Sequence, residues 1–358
     1  MRKNLPRSRL IIIVFAIIGL LGIISVTLVK PDQLTARKNT PVDRGYENDT
    51  SAISEGLRVN LKFYSKSLKM DREVQIYLPQ GYDQEGTMRY PVVYFLHGNA
   101  QSCYSEDQLF SIINNLINSK TISPVIMVKP DGSCPPWDIS YFINSELYGN
   151  FEDYLVDDLT EFIDSAYKTV ASRDMRAVMG YSAGGYCAIE TALKHPDIYS
   201  AAVSHSGRLN MWSHSLYIPY ILSENGGSPV SSFHPNAGPM SGGIFTMSGA
   251  FSPNLNNPPY FVDIPLDSVG NFIDSVWNRW LVHDCCALAR KISKENNLAI
   301  YFDCGTYDET LAYEFNTSFA DSLDKLGLHY EFQSYSGGHY DRYSRYPIGL
   351  AFLDSVMH

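Results

Sequence analysis

Two early segments alternate apolar and polar residues, 57–63 (Leu-Arg-Val-Asn-Leu-Lys-Phe) and 72–78 (Arg-Glu-Val-Gln-Ile-Tyr-Leu). A period of two predicts half-buried antiparallel strands. Further along, the alternation gives way to short unbroken apolar runs at 90–96, 124–128, 176–179, 199–203, 298–302 and 330–335. Between and after these runs, residues 106–118, 151–167, 183–194, 309–326 and 342–357 repeat their apolar positions with helical spacing. Buried strands alternating with amphipathic helices predict an α/β fold, a mostly parallel sheet with helices on both faces.

One stretch breaks this rhythm. Residues 208–284 carry Gly-Gly, Pro-Pro and Asn-Asn pairs and many aromatics with little regular period. A stretch of that length without elements of its own is usually functional, and it is read here as a long, loop-rich insertion over the active-site edge of the sheet. Its aromatics Trp212, Tyr260, Trp277 and Trp280 are the substrate-binding candidates, with simple core packing of Trp277 and Trp280 as the other reading.

The N-terminal region differs from the rest. Arg2, Lys3, Arg7 and Arg9 precede residues 10–29, twenty positions without a charge. That length spans a bilayer and exceeds the apolar core of a cleaved signal peptide. The expectation is a signal anchor over 1–30 and a polar tether over 31–56, followed by a catalytic domain over 57–358. Ala36 leaves cleavage and secretion open. The basic flank places the remainder outside the cytoplasm. Without residues 1–30, which hold five basic residues and no acid, the net charge falls from −10 to −15. No basic patch is visible, so nucleic acid is not an expected partner. The six cysteines show no Cys-x-x-Cys spacing, which argues against a zinc site. Neither metal nor cofactor is expected, and Cys103 with Cys134 is the disulfide pair to test first.

Candidate chemistry centres on Gly180-Tyr181-Ser182-Ala183-Gly184, which follows one apolar run and opens a helix. This is the setting of a nucleophile elbow. A serine hydroxyl needs a base, and the base needs an acid to hold its tautomer. His339, in Ser336-Gly337-Gly338-His339-Tyr340 after the last strand, fits the order serine, acid, histidine. His205 lies too close behind the nucleophile for that order, and His97 is read as structural. For the acid, Asp308 should occupy a loop beyond the carboxyl edge of the sheet. Asp303 at the strand end and Glu309 are the alternatives. Backbone N–H groups of Asn99 and Ala183 are the expected oxyanion donors.

Taken together, Tyr94-Phe95-Leu96-His97-Gly98, the Ser182 motif, Cys304-Gly305-Thr306-Tyr307-Asp308 and Gly337-Gly338-His339 resemble the putative-esterase family. That family includes feruloyl and acetylxylan esterases, S-formylglutathione hydrolases and mycolyltransferases. The resemblance covers about residues 57–357. It implies an α/β-hydrolase fold, ester hydrolysis through an acyl-enzyme on Ser182, and Asp308 as the acid after its Cys-Gly-Thr turn. Export disfavours S-formylglutathione as substrate, and the aromatic insertion favours acyl or feruloyl esters of carbohydrate. An acyltransferase with the same triad, and a non-catalytic carbohydrate-binding module on the same scaffold, are the competing functions.

Overall fold

The computed structural model describes residues 55–358. Eight strands form one sheet: β1 (Leu57–Ser65), β2 (Met70–Leu78), β3 (Val92–Leu96), β4 (Ile126–Pro130), β5 (Arg176–Tyr181), β6 (Ala201–His205), β7 (Ala299–Gly305) and β8 (Glu331–Tyr335). Their spatial order is β1-β2-β4-β3-β5-β6-β7-β8. β2 runs antiparallel to both of its neighbours, and the pairs from β4 through β8 are parallel. This is the mostly parallel α/β sheet that the apolar runs and helical stretches predict, and the α/β-hydrolase arrangement that the family resemblance implies.

Alternation along each strand divides the interior into two layers. On β3, Val92, Tyr94 and Leu96 face one core, while Val93 and Phe95 face the other. The second core is closed by α1 (Leu109–Asn118) and by the C-terminal helix Tyr346–Met357, through Leu109, Ile113, Leu350 and Leu353. The first is closed by helix α2 (residues 151–166) and by α3 (Ala183–Lys194), which is buried along nearly its whole length because the sheet and the insertion cover it. β2 differs from its expected half-burial: its last five residues, Val74–Leu78, are buried outright, because both neighbouring strands and both helical layers flank them.

The region 208–284 also differs from its expected character. It is not a loop: it contains a 3₁₀ turn at Met211–Tyr217 and helices α4 (Ile218–Glu224), α5 (Pro239–Phe251) and α6 (Asp274–Leu281). α5 escapes a periodicity reading because Ile244 through Phe251 are all buried, so no polar face alternates with an apolar one. α7 (Cys285–Ala289), α8 (Ala312–Leu326) and α9, the C-terminal helix already described, complete the chain. The Cys103–Cys134 pairing does not occur. All six thiols are free, and burial pushes these two up to about 12. The expected anchor and tether fall on residues outside those described, apart from the last two positions of the tether. Among the described residues no helix is long and apolar enough to cross a membrane.

Candidate active site

Ser182 joins β5 to α3 with φ 56° and ψ −122°, a strained conformation that aims its side chain off the sheet edge. The neighbouring glycines are required by contact. A Cβ on Gly180 would lie 2.1 Å from Gly184 O, and one on Gly184 would lie 2.0 Å from Leu96 O. The turn is held from behind, where Ser182 N–H donates to His205 O at 2.8 Å.

The structure brings Ser182, His339 and Asp308 into one line. Ser182 Oγ lies 2.9 Å from His339 Nε2, and His339 Nδ1 lies 2.8 Å from Asp308 Oδ2. With the ring proton on Nδ1, the imidazole donates to Asp308 and leaves Nε2 free to accept from the serine hydroxyl. The other Asp308 oxygen accepts from Thr310 N–H (2.8 Å) and Thr310 Oγ1 (2.6 Å). Burial alone would raise the Asp308 carboxyl, but the imidazole and these two donors outweigh it and leave the group below its ordinary value. It is therefore an anion at neutral pH. The loop reaches His339 because the helix that the sequence predicts from residue 309 begins only at Ala312. Leu311 adopts a left-handed conformation (φ 59°), and residues 308–311 turn toward the histidine.

Asp303 has a different place. It is fully buried in β7, where it contacts His205 Nδ1 at 2.9 Å, accepts from Tyr301 OH at 2.8 Å and pairs with Arg345 at 3.1 Å. It therefore braces the strand behind Ser182. Glu309 accepts the His339 N–H at 3.0 Å and steadies the histidine loop.

Asn99 and Ala183 flank the serine. A Cβ added to Gly98 would lie 3.4 Å from Ser182 Cβ, so the Gly98-Asn99 turn rests against Ser182, and Ala183 opens α3, whose N-terminus favours negative charge. Both glycine-turn neighbours are braced. Gly98 N–H donates to Gln101 Oε1 at 2.7 Å, and Gly132 N–H donates to His97 Nε2 at 2.9 Å. Burial keeps His97 below its ordinary value and hence neutral, and its Nδ1 donates to Gly98 O at 2.9 Å.

A less legible brace lies beneath. The buried Glu106 carboxylate accepts from Gln101 Nε2 (2.8 Å), Arg342 Nε (2.9 and 3.0 Å) and Tyr346 OH (2.8 Å). Glu106 thereby ties the Gly98 turn to the segment just after His339, Arg342 standing 236 positions beyond Glu106 along the chain. Tyr181 adds a bond from its hydroxyl to His339 O at 3.1 Å. Sequence reasoning finds neither brace. Thr310, two residues beyond Asp308, is the only missed residue with a local signal, since a hydroxyl at that spacing commonly closes onto an aspartate.

A cavity of about 140 Å³, walled by the insertion and by Asn99 and Tyr141, lies next to the Gly98-Asn99 turn. Trp277 and Trp280 belong to its wall, although both are almost fully buried, at 2% and 1% exposure. Trp280 also donates to Ser252 Oγ at 2.8 Å. The two remaining candidates are not in the wall. Trp212 is 53% exposed and lies edge-on to Trp277, and Tyr260 packs against Phe245 at 4.9 Å. Pairing with another insertion ring rather than with the cavity accounts for both. A smaller pocket shares Tyr141, Arg208, His214 and Met247 with the first and adds Ala183, the first residue of the helix that follows Ser182. Among the described residues no cluster of side chains could hold a metal ion.

The sequence model of the family described as "Putative esterase" matches residues 65–346. An esterase of Mycobacterium tuberculosis is 32% identical over 149 residues, 41% of this chain and 31% of that protein. An endo-1,4-beta-xylanase/feruloyl esterase of Xylanibacter ruminicola is 31% identical over 156 residues, 41% of this chain and 21% of its own length. The chain thus spans a third or less of the curated relatives it matches. Among solved structures, a ferulic acid esterase superposes with a TM-score of 0.61 at 18% identity, covering 85% of this chain and 99% of that one, a likeness of fold.

Proposed function

The chain belongs to the putative-esterase family, and from that premise we propose that it is a serine carboxylic-ester hydrolase working through an acyl-enzyme on Ser182. The observation that carries the reading is the unbroken line Ser182 Oγ, His339, Asp308 at 2.9 and 2.8 Å. His339 Nε2 takes the serine proton as Oγ attacks the ester carbonyl, and Asp308 stabilises the imidazolium. The N–H groups of Asn99 and Ala183 receive the developing oxyanion. The same proton then passes to the departing alcohol, and water, activated by the same histidine, releases the acid and restores Ser182.

The cavity under the insertion receives the substrate. Its aromatic wall, with the feruloyl esterase named among the relatives, supports aromatic or short acyl esters of carbohydrate. The uncharged run at 10–29 behind a basic flank supports a membrane-anchored domain working outside the cytoplasm.

Turnover of 4-nitrophenyl acetate and methyl ferulate by the full chain in detergent tests the reading. Ser182→Ala should lower kcat by about 10³-fold or more. Wild-type turnover in that variant would overturn it.

A further inference from the structure

Arginines with buried or half-buried side chains in this protein are paired with carboxylates. Arg72 meets Asp131 at 2.9 Å, Arg176 meets Asp164 at 2.5 Å, Arg342 meets Glu106 at 2.9 Å and Arg345 meets Asp303 at 3.1 Å. That is what burial of a permanent charge demands. Arg208 departs from the pattern. It sits just past the carboxyl end of β6 and lines both the main cavity and the small pocket that includes Ala183. Among the described residues no carboxylate pairs with it. Its single hydrogen bond runs from Nη1 to Tyr217 OH at 3.2 Å, and its guanidinium carbon lies 5.5 Å from the centre of the same ring. The Tyr217 hydroxyl donates in turn to Thr310 O, so the tyrosine cannot neutralise the charge.

The cavity wall supplies no anion, and the one carboxylate that acts on Arg208, that of Asp308, does so through space without a salt bridge. Ile221, Met240, Ile244, Leu266 and Phe272 are apolar. His214 donates from Nδ1 to Met211 O at 3.0 Å, and burial, reinforced by the Arg208 charge, holds it down to about 3, so it stays neutral. A guanidinium has five N–H donors in a planar fork that matches a carboxylate bidentately. Here one donor is used, in a cavity whose smaller neighbour is lined by Ala183, the residue after Ser182.

We propose that Arg208 is an anion subsite of the ester-binding cavity and that the substrate is an ester carrying a second, free carboxylate. This rests on the hydrolase reading above and narrows it. Binding the carboxylate gives the guanidinium a direct anionic partner, which no side chain of the cavity wall provides. It also orients the ester, because the fork fixes one end of the substrate while the carbonyl lies at Asn99 and Ala183.

The test compares isosteric ester pairs on the full chain. An acyl-side pair is the 4-nitrophenyl monoester of glutaric acid and its terminal amide. An alcohol-side pair is the butyrate ester of 4-hydroxybenzoic acid and that of 4-hydroxybenzamide. The expected result is a kcat/KM about tenfold or more higher for the carboxylate member of at least one pair, as befits a charged hydrogen bond. Arg208→Gln should erase that ratio, and Arg208→Lys should restore part of it. Equal kcat/KM for both members of each pair in the wild type overturns the proposal while leaving the hydrolase reading intact. An equal loss on both members in Arg208→Gln also overturns it, since that marks a purely structural arginine. No turnover of any ester, with no dependence on Ser182, removes the hydrolase reading and this proposal with it.

Discussion

The side chains in line with Ser182 answer one another, whereas three polar side chains in the cavity wall keep unused hydrogen-bonding capacity. His339, Asp308, Thr310 and Glu309 form a closed set of hydrogen bonds, and Glu106 locks the turns on either side of it. In the cavity wall, the His214 Nε2 and Trp277 Nε1 atoms are buried without a partner in the protein, and Arg208 makes one hydrogen bond. Buried polar groups are ordinarily satisfied. The difference fits a division of labour in which the sheet edge is organised before substrate arrives and the insertion keeps hydrogen-bonding capacity for a ligand.

The sharpest way to break this comparison is at the two aspartates. Asp308→Asn removes the acceptor that sets the His339 tautomer and should reduce kcat on the order of 10³–10⁴-fold with little change in melting temperature. Asp303→Asn should instead lower the melting temperature, because it leaves Arg345 unpaired in a buried network, while turnover stays within about tenfold. Kinetics and thermal melts of both variants decide it, and the reverse assignment would move the catalytic acid into the strand.

A smaller effect is expected at Glu106. Glu106→Gln keeps the shape and removes the charge that pairs with Arg342. Breaking a buried pair costs about 3–5 kcal/mol, so denaturant unfolding should show a lower midpoint. Turnover should fall by roughly tenfold, the size of loss that a small displacement of positioned groups can produce. A loss of stability with unchanged turnover would mean that the brace does not position the site.

The smallest effect belongs to the insertion. Trp277→Ala should shift the KM of bulky aryl esters by about tenfold or less while leaving kcat for acetate esters nearly unchanged, because it alters the cavity wall and not the proton path. Equal changes in kcat for both substrates would place Trp277 among the residues that support the triad.

Legibility in the sequence follows the same divide. β5, Ser182 and α3 are readable because an apolar run, a Gly-x-Ser-x-Gly turn and a helical period follow one another within twenty residues. Asp308 and His339 are readable because each lies in a glycine-containing turn after a strand. The Glu106–Arg342 brace is not, since nothing local links positions so far apart. Arg208 carries no local mark of being unpaired: its distinction is the absence of a carboxylate that only the folded chain reveals. α5 stays hidden because burial on most sides removes the alternation by which a helix announces itself. Trp212 and Tyr260 look the same in sequence as Trp277 and Trp280, and only packing separates ring on ring from ring on cavity.

The most direct test of the central claim is covalent labelling of the full chain with a fluorophosphonate, followed by peptide mass spectrometry. A single adduct on Ser182 is predicted, formed much more slowly in Asp308→Asn and at a comparable rate in Asp303→Asn. A folded protein that takes no label, or takes it at another serine, would contradict the account.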